Sequence, residues 1–146
     1  FYLFADSLST IGVYLTLIRV ETIKRETSFE AFKGLAKTEP IAAVATAVSL
    51  LSMAGIPLTA GFVAKFSIFA QAMNGAAFLV LIAVIGSALS IAYYLRLIIS
   101  MFFHKESSFK TSEKMSITYN IVAIFIIVAI LALGIYPDLF KMQFGL

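Results

Sequence analysis

The sequence predicts an all-α polytopic membrane protein with about four transmembrane crossings, one of them a discontinuous helix. Three observations predict it. Hydrophobic residues make up 61% of the 146 and charged residues only 13%, against roughly 45–50% and 25% in soluble domains. The apolar residues fall into runs of at least the roughly 20 that a spanning helix needs. Most of the charged residues collect in two spacers between those runs. A chain this small has too few polar groups to cover such a core in water, and the same composition excludes disorder. The lack of cysteine excludes disulfides, thiolate metal sites and cysteine nucleophiles. The single histidine excludes multi-histidine metal sites. The net charge of +3 forms no continuous basic patch, which sets nucleic acid aside.

The runs are 1–20, 40–73, 76–103 and 117–136. The first opens at Phe1-Tyr2-Leu3-Phe4 with no basic stretch and no cleavage site, so it is no signal peptide. The chain reads as the C-terminal part of a membrane domain whose upstream helices are absent. In this run Ala5, Ser9, Gly12 and Thr16 follow i, i+4, i+7, i+11, the small-residue face of a closely packed helix.

The spacer 21–39 carries Thr27-Ser28-Phe29-Glu30, which fits a capping box. Phe29, Phe32 and Leu35 or Ala36 then share a face, and Gly34 can stop the turn, which predicts a short interfacial connector. Pro40 suits the first position of the next helix.

The run 40–73 is too long. Straight, its residues would extend about 51 Å, whereas the hydrocarbon core is about 30 Å thick. Gly55, Pro57 and Gly61 interrupt it near its centre. It is either a hairpin of two spans or one crossing made of two half-helices broken near 55–61. Charge bias separates these. Lys24, Arg25, Lys33 and Lys37 lie in the first spacer, and Lys105, Lys110 and Lys114 in the second, 104–115. The turn at Asn74-Gly75 has none, and the tail only Lys141. A single crossing puts both basic spacers on the cytoplasmic side, as the positive-inside rule requires. Unwound backbone within a membrane is tolerated where protein or water satisfies it, and transporters place ion sites there.

Lys65 follows the break in Gly61-Phe62-Val63-Ala64-Lys65-Phe66. A lysine at the centre of a membrane helix costs roughly 2.5–3.5 kcal/mol. Losing water weakens the hold of any ammonium on its proton, which is what a proton relay requires. The alternatives are a structural lysine paired with an acid, and a lysine that snorkels to the interface. Ser49, Ser52 and Thr59 beside the break, and Ser87, Ser90 and Tyr94 on the third run, are candidates to line a hydrated path. Ala83 and Gly86 extend that second stripe, which also reads as a packing face. Asp6 reads as an acid near the outer end of its run. Arg96 reads as a snorkelling residue and His104 as an interfacial one. Glu21, Glu26, Glu30, Glu39, Glu106 and Glu113 read as solvated. The run 117–136, polar only at Asn120, reads as lipid-facing. No nucleotide loop, triad or metal-ligand pattern appears.

The stretch from Ser52 through Met53-Ala54-Gly55-Ile56-Pro57-Leu58-Thr59-Ala60-Gly61-Phe62-Val63-Ala64-Lys65 to Phe66 resembles the signature of the antiporter-like subunits of proton-pumping NADH:quinone oxidoreductase, respiratory complex I. The Mrp-type cation/proton antiporters share it more loosely. Gly34-Leu35-Ala36 before Pro40, Tyr93-Tyr94-Leu95-Arg96 and Leu133-Gly134-Ile135-Tyr136-Pro137 extend the resemblance over nearly the whole chain. Lysine at 65 and Phe66-Ser67-Ile68 after it differ from branches that carry glutamate there or acids after the lysine. Ala64 stands where the family often has glycine. The resemblance implies a discontinuous helix whose lysine, Lys65, belongs to a mid-membrane proton path. It implies partners among other membrane subunits of complex I, with lipid, protons and water. NADH, flavin and iron–sulfur clusters would sit on other subunits, with no cofactor or metal in this chain.

Overall fold

The computed structural model describes residues 1–25, 28–104 and 117–138. Thr27 of the expected capping box, Glu26, the second spacer beyond His104 with Glu106 and Glu113, and the tail with Lys141 lie outside them. The described residues form α1 (Tyr2–Lys24), a 3-10 turn (Phe29–Phe32), α2 (Leu35–Thr38), α3 (Pro40–Ala54), α4 (Ala60–Phe103) and α5 (Ile117–Ile135). Gly34, at φ 70, turns the chain between the 3-10 turn and α2. Pro40 opens α3, where its missing N–H has no helical partner to lose.

Helix α4 has 44 residues and would run about 66 Å if straight. It is not straight. Ala76 leaves helical geometry at φ −143 and ψ 39. Lys65 and Ser87, equally far from Ala76 on either side, are bonded at 3.2 Å. In a continuous helix they would stand about 33 Å apart. The two arms, 60–75 and 77–103, therefore fold back on each other. Among the described residues, three helices are long and apolar enough to cross a membrane when α4 counts as one, and α3 is a shorter apolar helix. Counting the two arms separately, and α3 with the first, gives four crossings.

The contacts of α1 decide how α3 and the first arm are joined. Read from its C-terminal end, Arg19 meets Glu39, Thr16 meets Ala42, Gly12 meets Ser49, and Ser9 meets Ser52. Ala5 then packs with Ala60 and Ala64. The partner number rises steadily past the break, so α3 and arm 60–75 run in one direction along α1. A hairpin would have turned back towards Thr16. The second run is thus one crossing by a discontinuous helix.

Arm 77–103 returns to the end where α1 finished. The Gly34 N–H donates to the Ser100 carbonyl at 3.1 Å. Val20, Ala31, Phe32, Leu35, Ala43 and Met101 close a core there. The first spacer and the start of the second, at His104, so lie at the same end of the bundle. Helix α5 runs antiparallel to α1, from Tyr119 beside Thr16 at 3.1 Å to Leu133 beside the Ala5–Ala60–Ala64 cluster.

Three expectations need correction. Helix α5 does not simply face lipid. Ala123, Ile126 and Ile130 are buried, while Ile121, Phe125 and Val128 on its other side are exposed. A small residue at 123 and glycine at 134 let that face approach its neighbours. The stripe on arm 77–103 does not pack as its counterpart does. Ala5, Ser9, Gly12 and Thr16 of α1 are all buried, but Ala83 and Gly86 are exposed, with open space around Gly86. Small residues promote packing only where a helix stands opposite: Ser87 meets Lys65 of arm 60–75, but nothing described stands against Gly86. Glu39 is not solvated. It is 4% exposed and paired with Arg19 at 3.0 Å, because it caps the start of α3 where the last turns of α1 pass. Glu21 and Glu30 are exposed.

Candidate functional site: a lysine at the helix break

The break exists because two helix ends find partners other than each other. Helix α3 stops at Gly55, whose φ of 81 suits glycine. The Gly55 N–H reaches the carbonyls of Leu51 and Ser52 at 3.1 and 3.0 Å, and the Ile56 N–H bonds the Leu51 carbonyl at 3.0 Å. Helix α4 starts from Thr59, whose hydroxyl accepts from the Phe62 N–H at 3.4 Å and donates to the Ile56 carbonyl at 2.7 Å. The Gly61 N–H donates to Ser52 Oγ at 3.1 Å. Between them Leu58 takes a positive φ of 76, a conformation costly for a residue with a Cβ. The break is thus strained at one residue and capped on both sides of it.

Lys65 serves another of the carbonyls at the end of α3. Its Nζ donates to the Met53 carbonyl at 2.7 Å and to Ser87 Oγ at 3.2 Å. An ammonium at the C-terminal end of α3 also meets the negative end of that helix dipole. Gly55 leaves room for the stem, because a Cβ there would come within 3.2 Å of Lys65 Cδ. Among the described residues no carboxylate oxygen lies within ion-pairing distance of Nζ. Asp6 lines the same small cavity, with Tyr2, Ser9, Ser52 and Gly61. That cavity is about 10 Å³, room for roughly one water. Two wider recesses open on the other sides of Lys65, one walled by Phe62, Phe66 and Phe69, the other by Tyr2, Ile68 and Ala83.

The candidate path residues divide. Ser52 and Thr59 cap the break itself, and Ser87 reaches it through Lys65. Ser49 is fully buried one turn earlier, with its Oγ unpartnered among the described residues. Ser90 instead bonds the Gly86 carbonyl of its own helix at 3.0 Å. Tyr94 stacks edge-on against Tyr93, towards the spacer end. Arg96 lies over the Phe29 ring at 5.6 Å, and His104 is exposed where α4 ends. Sequence reasoning missed Ser9 as part of the site. Its hydroxyl lies 2.8 Å from Ser52 Oγ, tying α1 to the break. It also missed Gly134, which lies on the backbone of Leu58 and Thr59. The signal for both was a small residue, which reports closeness but not the partner. No group of three or more His, Asp or Glu that could hold a metal ion occurs among the described residues.

The chain has known relatives. Residues 1–90, which hold α1, the break and Lys65, match the family model described as NADH:quinone oxidoreductase/Mrp antiporter, transmembrane. The chain belongs to the NADH:quinone oxidoreductase/Mrp antiporter family. Within this antiporter family the chain is 38% identical over 137 residues to NADH-quinone oxidoreductase subunit N of Cytophaga hutchinsonii, covering 93% of this chain and 29% of that protein. It is 41% identical over 113 residues to subunit N of Mycobacterium tuberculosis, covering 73% and 21%. A chain of respiratory complex I from Thermus thermophilus, solved with bound aureothin, superposes with a TM-score of 0.68 at 33% identity. That match covers 76% of this chain and 26% of the other. The chain thus spans under a third of the length of these antiporter-family relatives.

Proposed function

We propose that the chain is the C-terminal part of subunit N of a bacterial NADH:quinone oxidoreductase. In this reading it lies in the inner membrane with spacers 21–39 and 104–115 cytoplasmic. It translocates protons through Lys65, driven by electron transfer in other subunits that carry the NADH, flavin and iron–sulfur sites. It performs no redox chemistry itself, and its partners are the complex's other membrane subunits. The subunit N relatives favour this reading over an Mrp-type antiporter.

The observation that carries the relay is the environment of Lys65 Nζ. It is held by one carbonyl and one hydroxyl rather than by a paired carboxylate. A lysine locked to an acid stays charged, whereas one held by neutral groups can exchange its proton with a single neighbouring water. Ser52, Thr59 and Ser87 then keep the break polar, and Asp6 supplies a carboxylate on the adjoining cavity.

A second reading rests on the Met53 carbonyl. Lys65 caps α3, so it could hold the break together and nothing more. Lys65→Met in the full complex separates the two. Under the relay reading the variant assembles, but its proton pumping per electron pair falls several-fold in proteoliposomes. Normal pumping by an assembled variant would sink the relay and leave the cap.

A further inference from the structure

We propose that the recess between the first spacer and arm 77–103 seats the phosphate of an anionic phospholipid headgroup. This does not rest on the relay reading, only on the bundle's place in a membrane. The recess, of about 430 Å³, has Phe29, Glu30 and Lys33 on one wall and Arg96, Ser100 and His104 on the other. Its charges are unequal. Glu30 is taken by Lys33, which it meets at 2.6 Å. Arg96 has no carboxylate within ion-pairing distance among the described residues. Among the described residues it lies over the face of Phe29, a contact that leaves the guanidinium's five N–H donors for another acceptor. A phosphate oxygen pair matches that fork.

The depth of the recess selects a lipid over a soluble anion. Arg96 lies seven residues before Phe103, the last residue of α4, which is about 10 Å of helix. The spacer's charged turn is level with it, since Phe29 touches both Tyr93 and Arg96. Charged turns beside a spanning helix sit at the membrane interface, which puts Arg96 at that level. From there the recess continues along Ala92, Leu95 and Ile99, an apolar strip that an acyl chain would cover and a free phosphate would not. Basic recesses between membrane helices at an interface bind anionic headgroups in this manner. Ser100 Oγ, on the same wall, is buried without a partner among the described residues.

The test uses the full complex in phosphatidylcholine vesicles doped with photoactivatable phosphatidylglycerol, with labelled peptides read by mass spectrometry. Wild type should be labelled within 92–100. Arg96→Gln should label about fivefold less, the worth of one interfacial cation, and Arg96→Lys, which keeps the charge but not the fork, should recover only part of it. Glu30→Gln frees Lys33 and should raise labelling, which keeps the test decisive if Arg96→Gln fails to assemble. Equal labelling of wild type and Arg96→Gln would overturn the proposal. So would equal labelling by photoactivatable phosphatidylcholine, and so would a signal that millimolar inorganic phosphate abolishes, since the site would then be one for soluble anions.

Discussion

Lys65 reaches back across the helix break to the carbonyl of Met53, twelve residues earlier, at 2.7 Å. That bond explains two facts together. It gives an ammonium an acceptor in a low-dielectric setting, where an unpartnered one would be prohibitive. It also satisfies one of the carbonyls that α3 exposes by ending at Gly55. The lysine therefore needs the break, and adds to the bonds that hold it.

The approach of the two half-helices sets the first prediction. A Cβ added to Gly61 would collide with the Ser52 backbone, and one added to Gly134 with the backbone of Leu58 and Thr59. Backbone cannot rotate away as a side chain can. Gly61→Ala and Gly134→Ala should each destabilise the subunit by about 1–3 kcal/mol. Gly86→Ala, in open space within a helix, should be neutral or gain up to about 1 kcal/mol. Thermal unfolding of the purified variants in detergent measures the contrast. Equal midpoints for Gly61→Ala and Gly86→Ala would refute the packing described here.

Two buried serines one turn apart make the second prediction. Ser52 Oγ accepts from the Gly61 N–H and lies beside Ser9, so Ser52→Ala strands a buried donor at a cost of about 1–3 kcal/mol. Ser49 is as deeply buried, yet its Oγ has no partner among the described residues. Ser49→Ala removes an unmet polar group and should be neutral or stabilising. Unfolding midpoints again decide it, and a larger loss at Ser49 than at Ser52 would mean that Ser49 holds a water or an upstream helix.

What the sequence made legible follows from what each signal measures. Run length and the Gly55, Pro57, Gly61 cluster report backbone constraints, so four crossings and the break were readable. Charge bias reports which ends lie together, and the contacts of α1 agree. Pairing was not readable. The same small-residue spacing marks Ala5–Thr16, which is buried, and Ala83–Tyr94, which is not, because spacing describes one helix and burial needs two. Glu39 failed for a related reason. Its neighbours in sequence are polar, but its partner, Arg19, arrives from another helix. Lys65 stood out because membrane physics penalises a charge whatever its partner is, whereas the carbonyl that accepts from it has no signature in sequence.

That ion pair carries the third prediction. Arg19 and Glu39 are bonded through both Nε and NH2, at 3.1 and 3.0 Å, with side chains 14% and 5% exposed. Removing one partner leaves a buried charge. Arg19→Met or Glu39→Leu alone should therefore cost about 3–5 kcal/mol, and the double replacement should recover much of that. A double-mutant cycle on unfolding free energy measures the coupling. Additive losses would show that the two residues act independently.

The last prediction concerns which way the bundle faces. Spacer 21–39 and the start of the second spacer share one end, because Phe29 and Gly34 touch Tyr93 and Ser100. Their lysines and arginine then favour the cytoplasm. Single cysteines at Ser28 and Ser108, in a chain that has none of its own, should both react with a membrane-impermeant maleimide only in inverted vesicles. A third at Asn74, beside the fold in α4, should react only in right-side-out ones. Labelling of Ser28 and Ser108 from opposite faces would require arm 60–75 to turn back along α3. The steady pairing of α1 with Glu39, Ser52 and Ala64 in turn rules that geometry out, so the labelling tests the discontinuous crossing itself.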